Sequence, residues 1–289
     1  MRMRYLYIIA LLLLTVSCQK EIDLDYHEIE PVVCIEGRVT NEGIYVLITH
    51  TRSMDDSVKV RGIRGAMVTI TADDGRTEQL EYDAQSGYYR SPSYWKGVPQ
   101  QTYHLNVLLD GQQYEAVSTM PMPAPVTSAE FVWQPILKNR LLVLTVWATD
   151  PEPDVRNYYW YRVNRQSVDT TARRKYGADA YRWNVFDDRG SMGGRIYRDI
   201  HCMMELEDDE EPEDEDDYRR SLLFDGDTIT FQLMTIDRPA FDYYQSLAVG
   251  QRMGANPRSN ITGGCLGYFV AGCVTRSDTL YYRKDTTKE

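Results

Sequence analysis

The sequence predicts an all-β protein, a small N-terminal sandwich followed by a second, mainly β unit with one short helix. Short β-branched and aromatic runs recur along the chain, and Asp, Gly, Ser and Pro turn signals separate them at close intervals. The 3.6-residue apolar period of a helix is confined to one segment near the C-terminal end.

The sandwich is expected over residues 31–120. Val32 to Val39 and Tyr45 to Thr49 are rich in β-branched and aromatic residues, and Ala66 to Thr71 alternates before the turn Asp73-Asp74-Gly75. Glu81 to Tyr89 carries the turn Ser86-Gly87 into an edge, and Tyr103 to Leu109 returns through Asp110-Gly111 as Gln113 to Val117. Six or seven strands in some 90 residues suit two packed sheets. Pro121, Pro123 and Pro125 then remove three backbone donors, which marks 121–125 as a stiff linker.

The second unit, 126–289, opens with alternation from Val126 to Trp133. The strand Leu141 to Ala148 follows and ends at Asp150-Pro151. Asn157 to Val163, Tyr181 to Phe186, Ile229 to Ile236 and Leu266 to Val270 read as further strands. Pro239 to Gln251 predicts the helix, because Phe241, Tyr244, Leu247 and Ala248 share one face, Pro239 suits its start and Gly250 lies near its end.

The first seventeen residues place Arg2 and Arg4 before an apolar run from Leu6 to Leu14, the layout of a secretory leader too short to span a bilayer. Leu14-Thr15-Val16-Ser17-Cys18 resembles a lipobox, so 1–17 is expected to be removed and Cys18 to carry the lipid, with 18–30 as tether. Two or three acyl chains anchor firmly where one holds only reversibly. Gln19-Lys20-Glu21-Ile22-Asp23-Leu24-Asp25 is similar to the tag that sends Bacteroidota lipoproteins to the outer face of the outer membrane. The formal charge of −11 becomes −13 once the two leader arginines are gone, which disfavours nucleic acid and anionic membrane as direct partners. Much of the excess sits in 205–217, where eleven of thirteen residues are acidic, read as a self-repelling surface loop.

Chemistry-bearing residues are sparse. Cys265 and Cys273 could close a hairpin as a disulfide if both point to one face; four free thiols are the alternative. His27, His50, His104 and His201 stand in no metalloprotease spacing, and neither a CxxC nor a G-x-S-x-G motif is present. No catalytic residue is therefore expected. Asp150, Glu152 and Asp154 form a tight acidic turn that could hold calcium. Tyrosine is in excess, 22 residues against six phenylalanines, which suits a wet binding face. Tyr158, Tyr159, Trp160, Tyr243 and Tyr244 are the candidates for it, although alternation sends about half of strand aromatics to the core.

In order along the chain, the lipobox, Val33-Cys34-Ile35-Glu36-Gly37-Arg38-Val39-Thr40, Gly65 to Ile70, Gly87-Tyr88-Tyr89 and Tyr103 to Val107 resemble the Bacteroidota lipoproteins grouped as domain of unknown function 4249. Met120 to Pro123, Asp150-Pro151 through Tyr159, Asn260 to Gly264 and Gly267-Tyr268-Phe269 continue the likeness over the mature chain. The resemblance implies an immunoglobulin-like or transthyretin-like first unit and a non-enzymatic outer-membrane lipoprotein that assists a TonB-dependent receptor in nutrient capture. It implies no catalytic residues. A surface adhesion module binding glycan or protein is the alternative function, and a hydrolase with an unrecognised site the third.

Overall fold

The structure, a computed structural model, describes residues 30–52, 62–171, 182–189, 194–206 and 211–284. The leader, Cys18 and the tag lie outside the described residues, as do 207–210 of the acidic run.

Among the described residues, fifteen strands and the two helices named below form an almost entirely β structure in two sheets. The first seven strands are β1 (Val33–Thr40), β2 (Gly43–His50), β3 (Met67–Ala72), β4 (Thr77–Tyr82), β5 (Tyr89–Arg90), β6 (Thr102–Leu109) and β7 (Gln112–Thr119). The later ones are β8 (Val126–Ile136), β9 (Asn139–Thr149), β10 (Tyr158–Gln166), β11 (Arg182–Asp187), β12 (Arg195–Glu205), β13 (Thr228–Ile236), β14 (Leu266–Arg276) and β15 (Leu280–Tyr281). Helix α1 is Glu215–Ser221 and α2 is Arg238–Met253.

One sheet runs β11-β10-β13-β14-β1-β2-β5-β4-β3-β6-β7, with β15 added on β13; the other is β12-β9-β8. The large sheet therefore crosses the proline-rich segment. Its seam is β14, which pairs parallel with β1 from Cys34↔Leu266 to Thr40↔Gly272 and antiparallel with β13. A strand buried on both faces reads as a continuous apolar run, and eight consecutive residues of β14, Gly267 to Val274, are buried.

Two glycines permit this seam. A Cβ on Gly267, whose φ is +107°, would stand 1.9 Å from the Ile35 carbonyl oxygen, and one on Gly37 would stand 2.9 Å from the Phe269 ring. The first half of the sheet curls until β7 reaches β14: Glu115 and Thr262 exchange backbone hydrogen bonds, and the Ala271 N–H donates to Ser118 Oγ. Inside the curl lies a core of Ile35, Val46, Ile70, Tyr103, Leu105 and Val107, completed by Ile261, Phe269, Ala271 and Cys273 from the far end of the chain.

Beyond the seam the sheet is covered on both faces. The β12-β9-β8 sheet packs on one, where Leu142, Leu144, Ile200, Tyr159, Val163 and Phe231 form a second core. Helix α2 packs on the other through Ala240, Phe241, Tyr243 and Tyr244 over Met234, Ile236, Tyr268 and Val270. The helix begins at Asp237, whose carboxylate accepts from the Ala240 N–H, with Pro239 in its first turn. It ends two residues later than the sequence suggested: Gly250 is inside the last turn, and Gly254 at φ +68° is the cap. The short helix α1 was not expected; it falls partly within the acidic run, where Arg219 pairs with Glu215 one turn away.

Candidate functional site

Strand alternation separates the aromatic candidates. On β10, Tyr159, Tyr161 and Val163 face the second core, while Tyr158, Trp160 and Arg162 face the helix side. Tyr159 is fully buried and cannot contact a partner, which corrects the expectation for that residue. Tyr158 is half-buried against Phe241, with ring centroids 4.9 Å apart, and Arg156 and Arg238 lie over its ring. It sits at the rim.

Trp160, Tyr243 and Tyr244 do come together. Their rings cluster with Tyr268 of β14: Tyr243–Tyr268 centroids are 4.9 Å apart, Tyr244–Tyr268 5.0 Å and Trp160–Tyr244 6.1 Å. Trp183 of β11 meets Tyr244 edge-on at 6.3 Å. Burial pushes the Tyr243, Tyr244 and Tyr268 hydroxyls above the usual phenol range, so all three stay neutral.

The centre of this cluster is Arg38 of β1, which the sequence did not single out. Its guanidinium lies 5.4 Å from the Tyr268 ring centroid, 5.5 Å from Trp160 and 5.8 Å from Tyr45. Arg38 Nε donates to the Tyr268 hydroxyl at 2.7 Å, and Nη1 to the Tyr45 hydroxyl at 3.3 Å. Two cavities meet here and share Glu36, Arg38, Arg162 and Tyr268 as a common wall. The lobe beside α2, about 300 Å³, adds Trp160, Trp183, Tyr243, Tyr244 and Leu247. The lobe beside β5, about 330 Å³, adds Tyr45, Tyr88 and Arg90. Together they make a cleft with three arginines and one glutamate in a chain of net charge −11.

A family model matches this fold's sequence over residues 19–278, described as Domain of unknown function (DUF4249). The chain belongs to the DUF4249 family. No curated protein is matched. Within the matched span, the DUF4249 segments Glu36-Gly37-Arg38 and Gly267-Tyr268-Phe269 are the two sides of the β1–β14 seam, and they place Arg38 against Tyr268.

The other candidates fall elsewhere. Cys265 and Cys273 are free thiols, and the expected hairpin is a single strand: 266–276 is continuous β14. Eight residues of strand separate them by roughly 26 Å, whereas a disulfide needs Cα atoms within about 7 Å. Burial pushes the Cys202 thiol up to about 12 and the Cys34 and Cys265 thiols up to about 11, so these thiols are poor nucleophiles.

Calcium has no cage at the acidic turn. Asp150 is buried and turns its carboxylate inward, where Oδ1 accepts from the Glu152 N–H at 3.0 Å and from Asn157 Nδ2 at 3.1 Å. Glu152 and Asp154 do not join it: among the described residues no three His, Cys, Asp or Glu side chains are grouped to hold a metal ion. No helix among the described residues is long and apolar enough to cross a membrane.

Proposed function

We propose that the protein is a non-enzymatic lipoprotein, anchored through Cys18 in the outer membrane and facing the cell exterior, that captures a nutrient for a TonB-dependent receptor. The observation that carries the reading is the Arg38 cleft, a concave, aromatic and cationic surface on an otherwise acidic chain. The leader, the lipobox and the tag after Cys18 support the anchor, and the curled β1–β7 unit is read as an immunoglobulin-like or transthyretin-like module that presents the cleft above the tether. Burial of the candidate aromatics on a rigid sheet and a capped helix suits recognition without large rearrangement.

A second reading, a surface adhesion module that works without a transporter, draws on a different place. Trp147 and Tyr197 are directly opposite on β9 and β12, their centroids 4.5 Å apart, and both are more than one third exposed. Such a pair is a platform for a sugar face or a protein partner.

Co-purification from cells in mild detergent decides between them. A stoichiometric TonB-dependent receptor with the chain supports nutrient capture. Absence of any receptor, with glycan or matrix binding that Trp147→Ala abolishes, supports adhesion. Protease added to intact cells tests the orientation, and full protection with an intact outer membrane would place the chain on the periplasmic side.

A further inference from the structure

Arg38 contrasts with arginines that the fold pairs with carboxylates, the buried Arg165 and the more exposed Arg189 and Arg276. Arg165 is ion-paired with Asp227 at 3.1 Å, Arg189 with Asp187 at 3.0 Å, and Arg276 donates to both carboxylate oxygens of Glu42. Arg38, half-buried at the centre of the sheet, has no carboxylate within ion-pair distance among the described residues; it is held by two phenol oxygens and three ring faces. Phenols and rings orient a guanidinium but do not neutralise it, and a partly desolvated charge without a counterion is costly. Two N–H groups are engaged, and the planar fork retains donors in the geometry that an oxyanion accepts bidentately.

The two lobes set the shape of an anion that would fit Arg38. Arg90, exposed on β5 opposite Tyr45 and paired with Asp83 at 3.6 Å, lines one side of the cleft beside Arg38, while the indoles of Trp160 and Trp183 and the Leu247 side chain give the other lobe an apolar, ring-sized wall. Glu36 on the shared wall opposes a ligand with dense negative charge and favours a monoanion that offers a hydroxyl or N–H donor. The geometry points to a small organic acid as the ligand of this cleft, its carboxylate on the Arg38 fork and its ring in the Trp160 and Trp183 lobe. Both an aromatic acid and a uronic acid have this chemistry, since either ring can lie on an indole. The inference deepens the reading of the cleft as the capture site and identifies the class of nutrient.

Isothermal titration of the detergent-solubilised full chain, with no transporter present, tests it. The probes are 3-(4-hydroxyphenyl)propionate against its amide and galacturonate against galactose. At least one acid should bind ten times or more tightly than its neutral counterpart, and whichever acid does so identifies the source. Arg38→Gln should abolish that preference, and Trp183→Leu should weaken acid and neutral probe alike. Arg90→Gln, at an exposed position, should reduce the preference at least threefold, and it decides the matter if Arg38→Gln does not fold. Equal affinities within both pairs, or an acid preference that survives the arginine substitutions, would overturn the inference. A receptor that co-purifies with a chain indifferent to acids leaves the partnership standing, whereas acid binding without a receptor removes the partnership alone.

Discussion

Replacing Phe269 with alanine should cost about 4 kcal/mol and should do so in both halves of the molecule at once. The side chain is fully buried in the first core, and removal of a buried Phe side chain costs about 3–5 kcal/mol. The upper part of that range is expected because the ring packs on Gly37, which has no side chain to move into the void. The backbone should stay docked: Asn260 Nδ2 donates to the Phe269 carbonyl at 2.7 Å, the Phe269 N–H donates to Asn260 Oδ1 at 2.9 Å, and alanine keeps both. The loss is therefore one of packing at the seam where β14 joins β1 to β13.

Urea unfolding of the Phe269→Ala variant gives the total, and amide hydrogen exchange gives its distribution. Amides of β6, in the first core, and of β9, in the second, should lose protection by the same amount. Retention of parental protection in β9 while β6 loses it would refute the idea that the two cores unfold as one cooperative unit. A loss below about 1 kcal/mol would refute the packing argument.

Tyr159→Phe should be neutral or stabilising by up to about 1 kcal/mol, because the Tyr159 hydroxyl is buried with no hydrogen-bond partner; a clear loss in thermal unfolding would show that the hydroxyl has one. Asp227→Ala should destabilise by about 3–5 kcal/mol, since the fully buried carboxylate accepts from Ser167 Oγ and the Val168 and Phe224 N–H groups and pairs with Arg165. The double variant Arg165→Met with Asp227→Leu should lose less than Asp227→Ala, and denaturant midpoints compare the two.

Burial holds the Asp237 carboxyl above the ordinary carboxylate range, against hydrogen bonds from Ser118 Oγ and the Ala240 N–H. The folded state therefore binds this proton more readily than the unfolded one. That contribution is fully present below the unfolded value of about 3.9 and is lost as pH rises through the raised one. Asp237→Asn, which keeps a capping side chain, should gain stability relative to the parent between pH 4 and pH 7; a relative loss over that interval would contradict the shift.

Much of the architecture is legible along the chain because strand signals are local. Alternation and turn residues mark β1, β3, β6, β7, β9, β10 and β13 within a few residues of their observed ends, and Pro239 with the Phe241, Tyr244 and Leu247 face marks α2. Strand β12 is not legible as a strand in the sequence. Its sequence RIYRDIHCMME is mostly polar, and only Ile196, Ile200, Cys202 and Met203 are buried, with a register shift between His201 and Met203 that spoils the alternation. Helix α1 was hidden by its charge, because an acidic run reads as solvated chain until Arg219 reaches back to Glu215.

The site was half legible. Tyrosine excess pointed to Trp160, Tyr243 and Tyr244 but also to Tyr159, since the order of side chains along a strand alternates faces without saying which face holds the core. Arg38 carries one signal in the sequence, a cation two residues after Glu36 in a strand whose Val33, Ile35 and Val39 are apolar.

The sequence by itself determined the β class, the positions of most strands and of α2, and the charge, all of which follow from residues close together in the chain. Only the tertiary structure decided that β14 returns to pair with β1, that Cys265 and Cys273 lie along one strand and not across a hairpin, and that Arg38 meets a tyrosine 230 residues away. Parallel pairing is fixed by which strands bury which faces together, and that is a property of the packed sheet, to which neither strand's own pattern gives a register.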